Sequence, residues 1–489
     1  MIYLILLFSI LFFLLARRRL DYAVMVLIAA LPSYLVRFSI FGLPSTLLEA
    51  MILIIFFVWA VKNFTQVKNN FLENFKKENR KIKIRYPFDW EMILLLIVAL
   101  AAAGVAGFNS SSLGIFKAYF FEPVLFFIVL LNVIKGEKGR EKILWSLTIS
   151  ALAVSVLSIY QKITGQFIDN PIWAAADTRR VVSFFGYPNA IGLYLGPIVL
   201  LIIGWLSSVI ARSPVLGATW QSLVKFRIRE IASLPSVARN DIIVIIFIKL
   251  TIILSLLSIY FAKSKGALLG VVAGLIVFGL LANKKARYIT IIVLIVASCG
   301  IAVYGPARNL AVQNITLVNV SGQIRKAGWS DTWKMLKDGR LLTGAGLANF
   351  QLSIMSYHTP GIFIKDYSDP DAQKKLVFNE AYRTAHWQPL EIYLYPHNIF
   401  LNFWSELGFA GLLLFIWIFI KFFIIGIKNL RTQKSKYIII GLIGAIITII
   451  IHGLVDVPYF KNDLATMFWL FIAMMSIINL ENQYGKNNL

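Results

Sequence analysis

Tyr437-Ile-Ile-Ile-Gly-Leu-Ile-Gly-Ala-Ile-Ile-Thr-Ile-Ile-Ile-His-Gly-Leu-Val455 carries no Asp, Glu, Lys or Arg. As a helix it would be about 28 Å long, close to the thickness of a bilayer's hydrocarbon core. Comparable apolar runs recur along the 489 residues, which are 58% hydrophobic and 15% charged with a mean hydropathy of +0.75. No alternation of period two accompanies them, which excludes a membrane β-barrel. The fold class is therefore all-α, a polytopic helical integral membrane protein. Its net charge of +24 lies between apolar runs, where a nucleic-acid-binding surface would not be placed.

About twelve to thirteen transmembrane helices are expected, with thirteen spans at 2–16, 20–36, 47–63, 89–106, 116–134, 143–161, 189–211, 241–261, 266–282, 288–305, 398–425, 437–455 and 463–480. The first run precedes Arg17-Arg-Arg19, the reverse of a secretory signal, and reads as a retained helix. Basic residues cluster at Arg17–Arg19, Lys62–Arg85, Lys135–Lys142, Arg212–Arg239, Lys284–Arg287 and Lys428–Lys436. These clusters occupy every second connection, so the positive-inside rule makes them cytoplasmic and leaves the N-terminus outside. The chain then divides into ten N-terminal helices over 1–305, one large external loop over 306–397, and three helices with a cytoplasmic tail over 398–489. Cys299 is the single cysteine, so no intrachain disulfide forms.

The unusual residues fall on the external side. In the large loop, Ile324–Gly339 reads as an amphipathic helix, with Ile324, Trp329, Trp333 and Leu336 opposite Asp331, Lys334 and Asp338. Thr343-Gly-Ala-Gly-Leu-Ala-Asn-Phe350 follows as a glycine-rich turn without the strand context of a dinucleotide site. Tyr395-Pro-His-Asn398 enters the eleventh helix, with Pro396 placed to open it and His397 and Asn398 in its first turn. His397 is either an interfacial hydrogen-bonding residue or a general base, kept neutral by the helix N-terminus.

Arg179, Arg180, Lys263, Lys265 and Arg325 break the positive-inside pattern. They either snorkel to lipid phosphates or form an anion site, where arginine forks grip a diphosphate bidentately. Glu122 lies inside the fifth helix, and intramembrane acids usually have a partner or a role. His452 and Asp456 share a helix face and fit either interhelical hydrogen bonds or proton coupling in a transporter. Asp369-Pro-Asp371 is a weak metal pair, and four scattered histidines do not suggest zinc.

Taken in order, these segments resemble the O-antigen ligase and O-antigen polymerase superfamily of bacterial membrane glycosyltransferases. The likeness is carried by Tyr395-Pro-His-Asn-Ile-Phe400 with Glu406-Leu-Gly408, by Arg325 and Trp333 before Leu342–Phe350, and by Arg179 or Arg180 through Gly186-Tyr-Pro-Asn189. Ser264-Lys-Gly-Ala267 resembles a motif commonly reading Ser-Arg-Gly-Ala, and His452 with Asp456 resembles a late histidine–aspartate pair.

The resemblance implies a GT-C-like fold in the bacterial cytoplasmic membrane, with an active site on the periplasmic or extracellular side. It implies a metal-independent, inverting transfer of a glycan from a polyprenyl (undecaprenyl) diphosphate to an acceptor hydroxyl, without a cofactor. His397 and Arg325 would be catalytic, and Arg179, Arg180, Arg325 and Lys265 would hold the diphosphate. Asn189, Asn398, Glu122, His452 and Asp456 would support them. Partners would be the lipid-linked donor, a glycan, lipid or protein acceptor, and the bilayer. A polysaccharide polymerase or protein O-oligosaccharyltransferase of the same superfamily shares these features. A proton-coupled transporter using Glu122, His452 and Asp456 is the alternative of another class, though no two-half repeat supports it.

Overall fold

The computed structural model describes residues 2–40, 43–76, 87–212, 236–367, 369–432 and 435–487. The basic stretch at 77–85 and most of the 212–240 connection lie outside the described residues. The structure is 78% helical with almost no sheet. Long helices run α1 (Ile2–Arg18), α2 (Leu20–Ala29), α3 (Leu47–Lys76), α4 (Asp89–Val105), α5 (Ser110–Val133), α6 (Gly136–Thr164) and α7 (Pro188–Arg212). They continue as α8 (Ser236–Phe261), α9 (Lys265–Ala282), α10 (Lys284–Val303), α11 (Gly305–Ile315) and α12 (Val320–Met335). The chain ends in α13 (Ile399–Asn429), α14 (Lys436–Gly453) and α15 (Asn462–Asn487).

Ten of the described helices are long and apolar enough to span a membrane. Of the thirteen expected spans, those at 2–16 and 89–106 form helices of 17 residues each, about 25 Å long. The expected span 20–36 departs furthest. Its α-helix stops after 10 residues, and Pro32 sits in a 3₁₀ turn over Leu31–Leu35. Proline opens that turn because it has no N–H to give the preceding helix. An antiparallel ribbon of β1 (Arg37–Ile40) and β2 (Leu43–Thr46) then turns the chain into α3.

Burial orders the bundle. The apolar window of α15 is 94% buried, which makes this helix the central post, packed by α5 and α13. α10 has none of its window buried and lies at the periphery against α9. α7, α9 and α14 pack closely through small residues. A Cβ on Gly270 would come within 2.8 Å of the Thr448 carbonyl, and one on Gly274 within 2.9 Å of Gly444. Backbones can approach this closely only where side chains are absent.

The connections separate into two sets at opposite ends of the bundle, and polar contacts stay within each set. At one end, Lys62 donates to the Arg17 carbonyl (2.6 Å), Lys142 pairs with Asp21 (2.8 Å), Arg212 with Glu141 (3.0 Å) and Arg140 with Glu481. These are the basic connections. At the other end, Arg180 reaches Ala262, Arg325 reaches Val455, and Asn462 reaches Glu49. This second end carries the functional candidates.

Candidate functional site

His397 does not sit in the first turn of α13. Helix α13 begins at Ile399, and Asn398 is its N-cap, its Oδ1 accepting from the backbone N–H groups of Phe400 (3.0 Å) and Leu401 (3.1 Å). Asparagine suits this position because its short side chain reaches the unpaired N–H groups that a helix start exposes. Asn398 also donates to the Leu454 carbonyl at 3.1 Å, fastening the start of α13 to the end of α14. Pro396 and His397 therefore precede the helix, and His397 takes a left-handed backbone conformation with φ +49°. That conformation is uncommon outside glycine, and such residues concentrate at functional positions.

The imidazole lies edge-on between two aromatic rings, with centroids 4.9 Å from Tyr393 and 5.3 Å from Tyr395. Its Nδ1 is buried without a hydrogen-bond partner, and lies 4.0 Å from Asp456 Oδ1. Burial pushes the His397 pKa below the ordinary histidine range, Asp456 pulls it back, and Arg325 pushes it down again. The net result is a ring that is neutral near pH 7 and able to accept a proton.

Asp456 is the hub. It is 2% exposed, and its carboxylate accepts from Val457 N–H (2.9 Å) and Asn189 Nδ2 (3.2 Å). His452 approaches it from α14, with Nε2 at 4.0 Å. Gly266 leaves room for that imidazole, because a Cβ there would come within 2.7 Å of it. Two arginines connect to this hub, Arg180 through Asn189 and Arg325 through the Val455 carbonyl. Arg180 donates from Nε to Ala262 O (3.0 Å) and from Nη2 to Asn189 Oδ1 (3.5 Å). Arg325, on α12, donates from Nε to Val455 O (2.9 Å) and from Nη1 to Ser321. Burial lowers the pKa of both, yet a guanidinium keeps its charge at any physiological pH. His397 and Arg325 both line one pocket, with Tyr393, Tyr395 and Glu391 also in its wall.

Other expected site residues stand apart from this cluster. Arg179 Nη1 donates to the carbonyls of Lys162 (3.0 Å) and Ile163 (3.1 Å), and its Nε to Ala174. It thereby covers the C-terminal end of α6, where a cation meets the negative end of the helix dipole. Lys265 is exposed and donates to Asn314 on α11 (3.1 Å). Glu122 is fully buried, and its neighbours are Lys117 (3.9 Å) and, near it, Glu49. Asp369 is paired with Lys375 (2.8 Å), and among the described residues no group of three or more His, Cys, Asp or Glu is placed to hold a metal.

The helix expected over 324–339 forms as α12 but ends at Met335, followed by a distorted turn at Asp338 and Gly339. Asp331, expected on its solvent face, is instead buried. It accepts from Thr359 N–H (2.9 Å), Thr359 Oγ1 (2.9 Å) and Lys334 (3.0 Å). This network holds the returning loop against α12.

Several contributing residues escape a reading of the sequence. Gln161, buried in α6, accepts from Val182 N–H (2.9 Å) and Ser183 N–H (2.7 Å) and donates to Ser183 O (3.0 Å). It sets the segment that carries Arg180, and a lone amide in the last turn of a span was its only signal. Lys461 places its ammonium 4.0 Å from the Tyr187 ring centroid, and burial lowers its pKa against the pull of Asp463 and Asp456. Tyr393 was visible only as an aromatic in a polar loop.

The fold and the cluster define a multi-pass membrane protein with an acid–base and cation-bearing site at one end of its bundle. Residues 250–416 match the family described as O-Antigen ligase. Over that stretch the chain is similar to the O-antigen ligase/polymerase superfamily, which supports a ligase/polymerase-type membrane glycosyltransferase of polysaccharide processing. No curated protein matches the chain. The matched stretch contains Lys265, Arg325 and His397; Arg180, Asn189, His452 and Asp456 lie outside it.

Proposed function

We propose that the protein transfers a glycan from a polyprenyl diphosphate to an acceptor hydroxyl at the outer face of a bacterial cytoplasmic membrane. The basic connections then face the cytoplasm, as the positive-inside rule requires, and the His397 end faces outward. His397 accepts the proton of the acceptor hydroxyl through Nε2, while Asp456 orients the ring from the Nδ1 side, as a carboxylate does in a catalytic triad. The acceptor oxygen attacks the anomeric carbon as the bond to the diphosphate breaks, with inversion. Arg180 and Arg325 stabilise the charge that gathers on the leaving diphosphate.

The observation that carries this reading is the His397 environment: an imidazole with a buried Nδ1 facing Asp456, sharing one pocket with the half-buried Arg325. Donor binding and acceptor activation thus meet at a single point. The test is reconstitution of the purified protein with a labelled lipid-linked glycan and an acceptor, followed by detection of a new covalent glycoconjugate. His397→Gln is expected to lower the rate by about 10²–10⁴, the usual contribution of a general base, with donor binding retained. Full turnover by that variant would remove the base assignment, and movement of the glycan across the bilayer without a conjugate would identify a transporter.

A further inference from the structure

Helices α6 and α8 pack along each other, with Ser155 Oγ 3.0 Å from Ser255 Oγ, and both are apolar spans that end at the His397 end of the bundle. Tyr160 and Tyr260 stand exposed in their last turns, the position tyrosine takes at a membrane–water boundary. Three cations gather at that boundary. Lys162 holds its ammonium 5.4 Å from the Phe261 ring centroid, Lys263 donates to Thr178 O (3.4 Å), and Arg179 donates to the carbonyls of Lys162 and Ile163. Their neighbours are a ring and backbone carbonyls, which leave the positive charge uncompensated. Asp169 and Asp177 belong to the same loop, are exposed, and pair with none of the three among the described residues.

Beside these cations the loop turns apolar side chains outward: Ile163 is 75% exposed, Phe167 72% and Ile172 69%. Phe167 is held in this pose, with a left-handed backbone (φ +59°) and its carbonyl accepting from Gln161 Nε2 at 2.8 Å. A strained backbone persists only where its surroundings fix it, and here it leaves a phenyl ring uncovered by protein.

We propose that this patch binds the headgroup of an anionic phospholipid. Lys162, Arg179 and Lys263 meet its phosphate, while Ile163, Phe167 and Ile172 lie among the upper acyl carbons. Lysine and arginine stems cross apolar surface and carry their charge to headgroup level. Each such cation near an anionic membrane surface adds to lipid affinity. A soluble phosphate would match the charge and leave three apolar side chains in water, so the lipid is the occupant that covers both. The bound headgroup bridges the ends of α6 and α8 and the segment at 178–181. That segment lies along the end of α8, with Val181 N–H donating to Phe261 O (3.4 Å) and Arg180 Nε to Ala262 O (3.0 Å). Lipid composition thereby sets how firmly the segment carrying Arg180 is held. The binding stands independently of the proposed glycosyl transfer.

The test is hydrogen–deuterium exchange on the full-length protein in nanodiscs of phosphatidylcholine, alone or mixed with phosphatidylglycerol. Exchange over residues 163–181 is expected to slow when phosphatidylglycerol is present. The fraction of that lipid giving half of the protection should rise about fivefold in Lys162→Gln and likewise in Lys263→Gln. Lys284→Gln, which removes a charge from the opposite end of the bundle, should leave it unchanged. Glycerol 3-phosphate added to phosphatidylcholine nanodiscs should give no protection. Equal exchange in the two lipids would overturn the proposal, as would slowing spread evenly along the chain, or native protection in a variant carrying both lysine substitutions. Protection by glycerol 3-phosphate equal to that of the lipid would also overturn it, and would make the patch a site for a soluble anion.

Discussion

His397 concentrates the residue-scale argument, because its charge state depends on two neighbours pulling in opposite senses. Burial and Arg325 lower its pKa below the ordinary 6.5, and Asp456 raises it. A general base acts in its neutral form, so the rate should fall as pH drops through the His397 pKa and stay level above it. Asp456→Asn removes the raising influence, so the acid limb of kcat/KM should move further to low pH. Arg325→Gln removes a lowering influence and should move that limb toward neutrality. Profiles of kcat/KM against pH for the three proteins check both signs; identical limbs would detach the titration from His397. His397 and Arg325 were conspicuous in the sequence as a histidine and an arginine in the long loop between two apolar runs. Arg179 and Arg180 are equally conspicuous and adjacent, yet one covers the end of α6 and the other reaches Asn189. Chain sequence marks where a cation lies but not where it points, since each side chain is directed by the carbonyls it meets.

At the scale of elements, the glycine-rich turn and the glycine after the histidine motif are explained by each other. Helix α13 breaks at Gly408, with φ +73° and ψ −176°, a conformation reserved for glycine. The turn over Leu342–Ala348 enters that break: Phe409 N–H donates to Leu342 O (3.0 Å), Ala345 N–H to Ser405 O (2.6 Å) and Ala348 N–H to the Glu406 carboxylate (2.7 Å). On its other side, Leu347 N–H donates to Ala102 O at the end of α4 (3.2 Å). A Cβ on Gly408 would come within 2.9 Å of the Thr343 backbone. Gly408→Ala should therefore destabilise the protein by about 1–3 kcal/mol and lower its Tm in detergent; an unchanged melting curve would show that the break tolerates a side chain. The tight-turn reading of 343–350 was accessible from its glycines. Its docking partner was not, because a lone glycine inside a helical pattern does not by itself mark a break.

Across the whole molecule, the separation of basic and functional connections to opposite ends agrees with their alternation along the chain. If the His397 end faces outward, Glu391→Cys in a Cys299→Ser background should label with a membrane-impermeant maleimide in intact cells. Lys138→Cys should label only after the membrane is opened. The reverse pattern would invert the proposed orientation. The sequence alone determined the solvent: apolar runs of bilayer length and charges gathered between them leave a helical membrane bundle as the physically permitted class. It also marked the ends of that bundle where functional side chains stand. Tertiary structure alone decided which of them meet. Asn189 and Asp456 are 267 positions apart and bond at 3.2 Å, because close-packed small residues draw α7 and α14 together and bring both helix ends to one point. Periodicity and charge are local properties of a chain, whereas the meeting of two helix ends depends on the packing of the helices between them.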